Sequence, residues 1–162
     1  MYLDALSFLE DERETFRAYE ALDTLTDAQL DTPVDAAHGW SGRDLMGHIV
    51  VCQEDALASA RELAVGERSA TRERLAAEWD ASPDAGDRIN AEAIERFRAM
   101  PLDEVRRRFR ETAGELRGYL TVVPEVRWIK RADHQEWFLG ETIDHYEDHL
   151  ADLRAILEAA RR

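Results

Sequence analysis

The chain has 162 residues, with 21 Lys+Arg against 35 Asp+Glu, and a formal net charge of −14 at pH 7. That length fits one domain, residues 1–162, able to bury its own core; the single cysteine, Cys52, cannot form an internal disulfide, and no run approaches the roughly 18 apolar residues of a membrane span. The negative charge repels phosphate backbones and argues against a nucleic-acid partner, while Asp4, Glu10 and Asp11 interrupt any signal-like apolar run, so a cytoplasmic setting is expected.

Ala, Leu, Glu and Arg are abundant, β-branched residues are sparse, and apolar–polar alternation never extends beyond a few residues. These features predict an all-α fold. A first helix is expected over about residues 3–25, with Leu6, Leu9, Phe16, Tyr19 and Leu22 on its inner stripe and the stem of Arg13 lying along it. The second helix is expected to start at Ser41, an N-cap with Asp44 three residues on to return the hydrogen bond and Trp40 placed to pack on Leu45. Its stripe continues through His48, Ile49, Cys52, Ala56, Ala60 and Leu63 to Gly66. Residues 66–83 read as a long, charged crossover with one helical turn set in it, followed by a short helix from Asp84 to Ala99 that Pro101 breaks.

The third long helix begins at Leu102 and keeps Val105, Phe109, Thr112, Leu116 and Leu120 at spacings of three and four, before Pro124. A linker holding Trp128 as a lid or hinge anchor leads to a last helix from Gln135 to Ala160, with Phe138, Thr142, His145, His149, Leu153 and Ile156 inward. Four long helices with a long middle crossover make a four-helix bundle. His38 and His134 fall in loops and are expected to face solvent.

His145 and His149 are four apart on a helix, so their rings project from one face about a turn apart, and His48 lies on the core stripe of another helix. Three buried imidazoles without partners would cost on the order of 1–3 kcal/mol for each unsatisfied group. A shared metal ion satisfies all three, and three His ligands with an open position suit a catalytic first-row ion. The alternative reading is that His48 packs alone and the other two are hydrogen-bonded.

The segment Trp40-Ser41-Gly42-Arg43-Asp44-Leu45-Met46-Gly47-His48-Ile49, with Asp144-His145-Tyr146-Glu147-Asp148-His149-Leu150, resembles the DinB superfamily of helical metalloenzymes. That group includes YfiT-like proteins, the helical domain of mycothiol-dependent maleylpyruvate isomerases and the ClbS/DfsB branch. The resemblance implies an up-down-down-up topology, frequent homodimers, and a divalent ion, nickel or zinc before iron or manganese, held by His48, His145 and His149. It implies either hydrolysis or thiol-dependent transfer or isomerisation of a small molecule, in the latter case with a low-molecular-weight thiol as cosubstrate. In a chain of this length, a thiol site would be built by this domain alone or at a dimer seam.

Around that centre Glu141 is the candidate general base, and Asp44 a second group able to orient an imidazole; for both, a plain helix-capping or solvated role is the simpler reading. Cys52, one turn after His48, either faces the ion or packs as a small hydrophobe, the favoured reading. Trp79, Asn90 and Trp137 are expected near a pocket mouth. Two other functions compete: a ClbS-like protein that sequesters a toxic metabolite, and a stress-induced helical partner with no site.

Overall fold

The computed structural model describes residues 1–162, and its first helix, α1 (Ala5–Phe16), opens on Asp4, whose carboxylate accepts from the Ser7 amide at 2.9 Å. α1 turns Phe8, Glu12 and Phe16 inward, then tightens into a 3-10 segment, Arg17–Thr24, that buries Tyr19 and Leu22. The expected stripe therefore holds from Phe16 onward and only in part before it: Leu9 packs half-buried against the core, but Leu6 is 65% exposed and Arg13 faces solvent. The helix is rotated because Glu12, an acid that looks like a surface residue in the sequence, finds buried partners.

A single turn, α2 (Asp27–Leu30), carries a Thr26–Gln29 capping box and leads into a tight loop. There His38 (φ 57°) and Gly39 (φ 79°) occupy the left-handed region in succession. Glycine tolerates that conformation freely, and the reversal lets the Val34 amide donate to the Trp40 carbonyl at 3.0 Å, which brings Trp40 back over the start of the next helix.

That helix, α3 (Gly42–Val65), starts where the sequence predicts: Ser41 Oγ accepts from the Asp44 amide at 3.2 Å and Asp44 Oδ2 accepts from the Ser41 amide at 2.9 Å. Its stripe is wider than a single bundle face, with Met46, Gly47, Val50, Gln53 and Leu57 also buried, because other helices pack around it on several sides. The crossover is more ordered than the expected single turn. It forms α4 (Ala70–Trp79), capped by Ser69 and buttressed by Glu62, whose carboxylate accepts from Ser69 Oγ at 2.7 Å and from the Thr71 amide at 3.1 Å. Strong helix formers extend the turn once it is capped, although no residue of α4 is buried.

α5 (Ala85–Ala99) lies across the first half of α3. Arg98 on α5 donates from Nε to Asp44 Oδ1 at 2.8 Å and from Nη2 to Oδ2 at 3.0 Å, so the cap of α3 doubles as an anchor for α5. α6 (Leu102–Leu120) buries Val105, Phe109, Thr112, Leu116 and Leu120 as its period predicts.

The linker after α6 is part of the core. Trp128 is fully buried with its ring edge-on to Phe8 and Phe138 at 5.2 and 5.6 Å, so it fastens the linker to the core and is not a lid. His134 is likewise buried, with Nδ1 2.6 Å from the Arg127 carbonyl oxygen, and only His38 faces solvent as expected. The last helix is not continuous from Gln135 to Ala160. It is divided into α7 (Ala132–Glu141), α8 (Ile143–Asp148) and α9 (Leu150–Ala159), with interruptions at Thr142 (φ −131°, ψ −96°) and His149 (φ −93°, ψ 7°). At the second interruption the Tyr146 carbonyl accepts from the buried Tyr19 hydroxyl, so a side chain from another element satisfies a group at the end of α8.

One polar cluster ties the layers together. Glu12 on α1 accepts from Arg117 Nη1 on α6 at 2.8 Å and from the Tyr146 hydroxyl on α8 at 2.9 Å, and that hydroxyl accepts from Gln53 Nε2 on α3 at 2.9 Å. Burial pushes the Glu12 carboxyl up, against the pull of Arg117. Replacing Glu12 with Ala leaves Arg117 and Tyr146 without that acceptor and is expected to lower stability by about 3 kcal/mol, read as a lower urea midpoint. α5 packs tightly on α3 at Gly47, where a Cβ would lie 2.5 Å from Phe97 Cγ. Gly47→Ala is therefore expected to cost about 1–3 kcal/mol by overpacking despite alanine's better helix propensity, and Gly47→Ala/Phe97→Leu to recover part of it in the same titration.

Candidate metal centre

Three imidazoles converge between α3 and the broken last helix. His48 Nε2 lies 2.9 Å from His145 Nε2 and 3.1 Å from His149 Nε2. His48 arrives from the buried stripe of α3, His145 from the middle of α8, and His149 from the joint between α8 and α9. The rings of His145 and His149 are 4.8 Å apart, centroid to centroid.

Each neutral imidazole has one N–H and one lone pair. His149 Nδ1 faces Asp152 Oδ2 at 2.9 Å, which assigns its hydrogen to Nδ1 and leaves the Nε2 lone pair aimed at the cluster. A hydrogen on His48 Nε2 can serve one of its two neighbours, so some lone pairs face one another. A cation relieves that repulsion, and the spacing fits one: nitrogens bound at about 2.0–2.1 Å lie about 2.9 Å apart at a right angle and about 3.3 Å apart at the tetrahedral angle.

Protons on His48 and His145 do not supply the cation at neutral pH. Burial, reinforced by the neighbouring rings, pushes His48 down to about 3 and His145 down to about 4. The site is walled on one side by Trp40, whose ring is stacked on His149 at 5.3 Å and edge-on to His48 at 4.9 Å. Its expected packing partner was Leu45, and the site role was not read from the sequence. Asp152 was missed as well, although the His-x-x-Asp spacing within one helical turn could have signalled it.

On the other side Cys52 points its Sγ at His145 Nε2, 3.4 Å away, and the ligand atoms of His48, Cys52 and His145 all lie within 4.8 Å of one another. Cys52 is half-buried overall with its thiol turned inward towards His145, so the residue looks onto the site from the stripe of α3. Burial, then the charges of Glu141 and Asp55, push its thiol well up. Glu141, at the end of α7, lies beside that thiol; burial and then the charge of Asp55 push its carboxyl up to about 7, against the hydrogen bond from Cys52.

The remaining candidates separate. Asp44 is committed to the α3 cap and to Arg98; burial raises its carboxyl, but Arg98 and Ser41 together hold it below the usual range, so the capping reading describes it and the imidazole-orienting role passes to Asp152. Trp79 is 55% exposed and lies over Gly86, while Trp137 packs on Phe138. Asn90 is half-buried on α5 beside Ile89, which lines a cleft of about 350 Å³ between α3, α4 and α5 together with Val51, Asp55, Arg74 and Leu75. Asp55 lines that cleft, and its charge bears on both Glu141 and Cys52.

The depressed histidines set an acid limit on the metal-free protein. Unfolded histidines take protons near their ordinary 6.5, whereas His48 and His145 stay neutral in the fold to about 3 and about 4, so their contribution is present above 6.5 and lost as pH falls. Glu141 acts oppositely: raised from 4.5 to about 7, its contribution is present below 4.5 and lost as pH rises through about 7. With chelator present, the urea midpoint is expected to fall between pH 6.5 and 4.5, less in His145→Leu and more steeply in Glu141→Gln. A midpoint flat over that range in the parent would contradict the buried, neutral imidazoles.

Nothing among curated proteins or among solved structures matches the chain. Residues 11–154 match the family described as the mycothiol maleylpyruvate isomerase N-terminal domain, which covers α3, α5, α6 and all three converging histidines. The chain belongs to that family, and with it to the DinB-like superfamily of helical domains.

Proposed function

We propose that this protein is a divalent-metal-dependent enzyme acting on a small molecule, with His48, His145 and His149 holding the ion. The observation that carries the reading is the approach of His145 and His149 Nε2 to 2.9 and 3.1 Å from His48 Nε2, with the His149 ring oriented by Asp152. Zinc or nickel suits an all-imidazole set, and iron or manganese would also enter it. Such an ion supplies Lewis acidity, lowering the pKa of water or of a thiol at neutral pH.

The residues around it suit that chemistry. Glu141, with its carboxyl at about 7, is poised to take a proton from a nucleophile near neutrality and return it to a leaving group. Trp40 offers an apolar wall against the imidazoles, and the cleft that Asp55 helps to line offers room for a small substrate. Membership in a family named for a mycothiol-dependent isomerase favours thiol-dependent transfer or isomerisation over hydrolysis. In the same reading α1, α3, α6 and α7–α9 form the bundle in up-down-down-up order, and the protein works as a cytoplasmic homodimer. No helix is long and apolar enough to cross a membrane.

Elemental analysis of protein purified without a metal-affinity tag tests the proposal. About one equivalent of a first-row metal is expected in the parent, and its loss in His145→Ala/His149→Ala with the far-UV helical signal retained. No metal in either protein after reconstitution would overturn the reading in favour of a metabolite-binding protein, to be pursued by ligands that raise Tm.

A further inference from the structure

The geometry points to Cys52 as a further ligand to the ion: its sulfur is grouped with the His48 and His145 nitrogens, so that an incoming substrate or thiol must expand or open the site. This inference rests on the three-histidine reading of the site and adds to it. Its basis is the position of Sγ, 3.4 Å from His145 Nε2 and within 4.8 Å of the His48 ligand nitrogen. A sulfur bound at about 2.3 Å and a nitrogen at about 2.0–2.1 Å on one ion lie about 3.1 Å apart at a right angle and about 3.6 Å apart at the tetrahedral angle. The observed distance falls between these limits, as do the two nitrogen separations for their own pair. His48 and Cys52 are one turn apart on α3, so both donors are carried by the same rigid, capped helix and neither depends on a loop.

Coordination requires the thiolate, so loading the site releases the Cys52 proton to solvent. The proton leaves Sγ while the sulfur's electron pair forms the bond to the ion, and no oxidant or reductant is needed. A bound thiolate also accounts for a cysteine at this position: serine oxygen is a poorer ligand for a borderline-soft ion.

Cobalt(II) substitution separates this inference from the reading beneath it. Visible d–d bands report an ion held by the site, and a near-ultraviolet sulfur-to-cobalt charge-transfer band reports Cys52. The parent is expected to show both, and Cys52→Ala the d–d bands alone. Zinc loading of the parent is expected to slow alkylation of Cys52 by iodoacetamide at least about tenfold, which covers the case in which the variant folds poorly. Cobalt d–d bands in the parent without the charge-transfer band, or alkylation unchanged by zinc, would overturn the sulfur ligand and leave the three-histidine site standing. No cobalt bound to the parent at all would overturn both.

Discussion

A carboxylate buried between helices holds this fold in register. Glu12 joins α1 to α6 through Arg117 and to α8 through Tyr146, whose hydroxyl is held in turn by Gln53 of α3. One residue from each bundle layer contributes, so any sliding or rotation of one helix breaks hydrogen bonds in a medium where they are expensive to lose. Hydrophobic packing against Phe16, Phe109 and Tyr19 encloses the cluster but is tolerant of small shifts; the directional bonds are not. The arrangement accounts for the rotation of α1, which exposes Leu6 in order to bury an acid.

The same cluster sets the metal centre. Tyr146 is the sequence neighbour of His145, and its ring is fixed at the hydroxyl by Glu12 and Gln53 and its backbone at the carbonyl by Tyr19. With α8 held at both ends of one residue, His145 meets His48 across the core. The departure from helix at His149 turns that ring towards the same point, and Asp152 in the first turn of α9 fixes its tautomer. An unbroken helix would place the two histidines one turn apart on a face; the break decides how their nitrogens meet the third.

Charge is distributed so that an ion would complete the centre. The chain carries −14, yet burial keeps His48 and His145 from taking protons, Asp152 lies against His149, and Glu141 and Asp55 bear on the Cys52 side. Two of the guanidinium groups reaching into the bundle are occupied elsewhere: Arg98 clamps Asp44, and Arg117 neutralises Glu12. A buried set of lone pairs facing acids is an electrostatic environment that lowers the free energy of a divalent cation and raises that of an anion.

Reading the residues in order was enough to establish the helical class, the Ser41 start of α3, the inner face of α6 and the three histidines that meet. These depend on near neighbours: an N-cap and its return bond span three residues, and a stripe repeats every three or four. The remainder was settled by contacts between segments far apart in the chain. Whether Cys52 packs or points at the site turns on His145, 93 residues away, and whether Glu12 or Arg13 faces inward turns on Arg117, 105 residues from Glu12. Whether Trp128 is a lid or a core residue turns on the rings of Phe8 and Phe138. The interruptions at Thr142 and His149 were hidden for the same reason: neither is a Gly or Pro, and the hydroxyl that satisfies the Tyr146 carbonyl comes from Tyr19, on a different element. Periodicity records what a residue prefers, whereas a buried polar group goes where distant atoms can satisfy it.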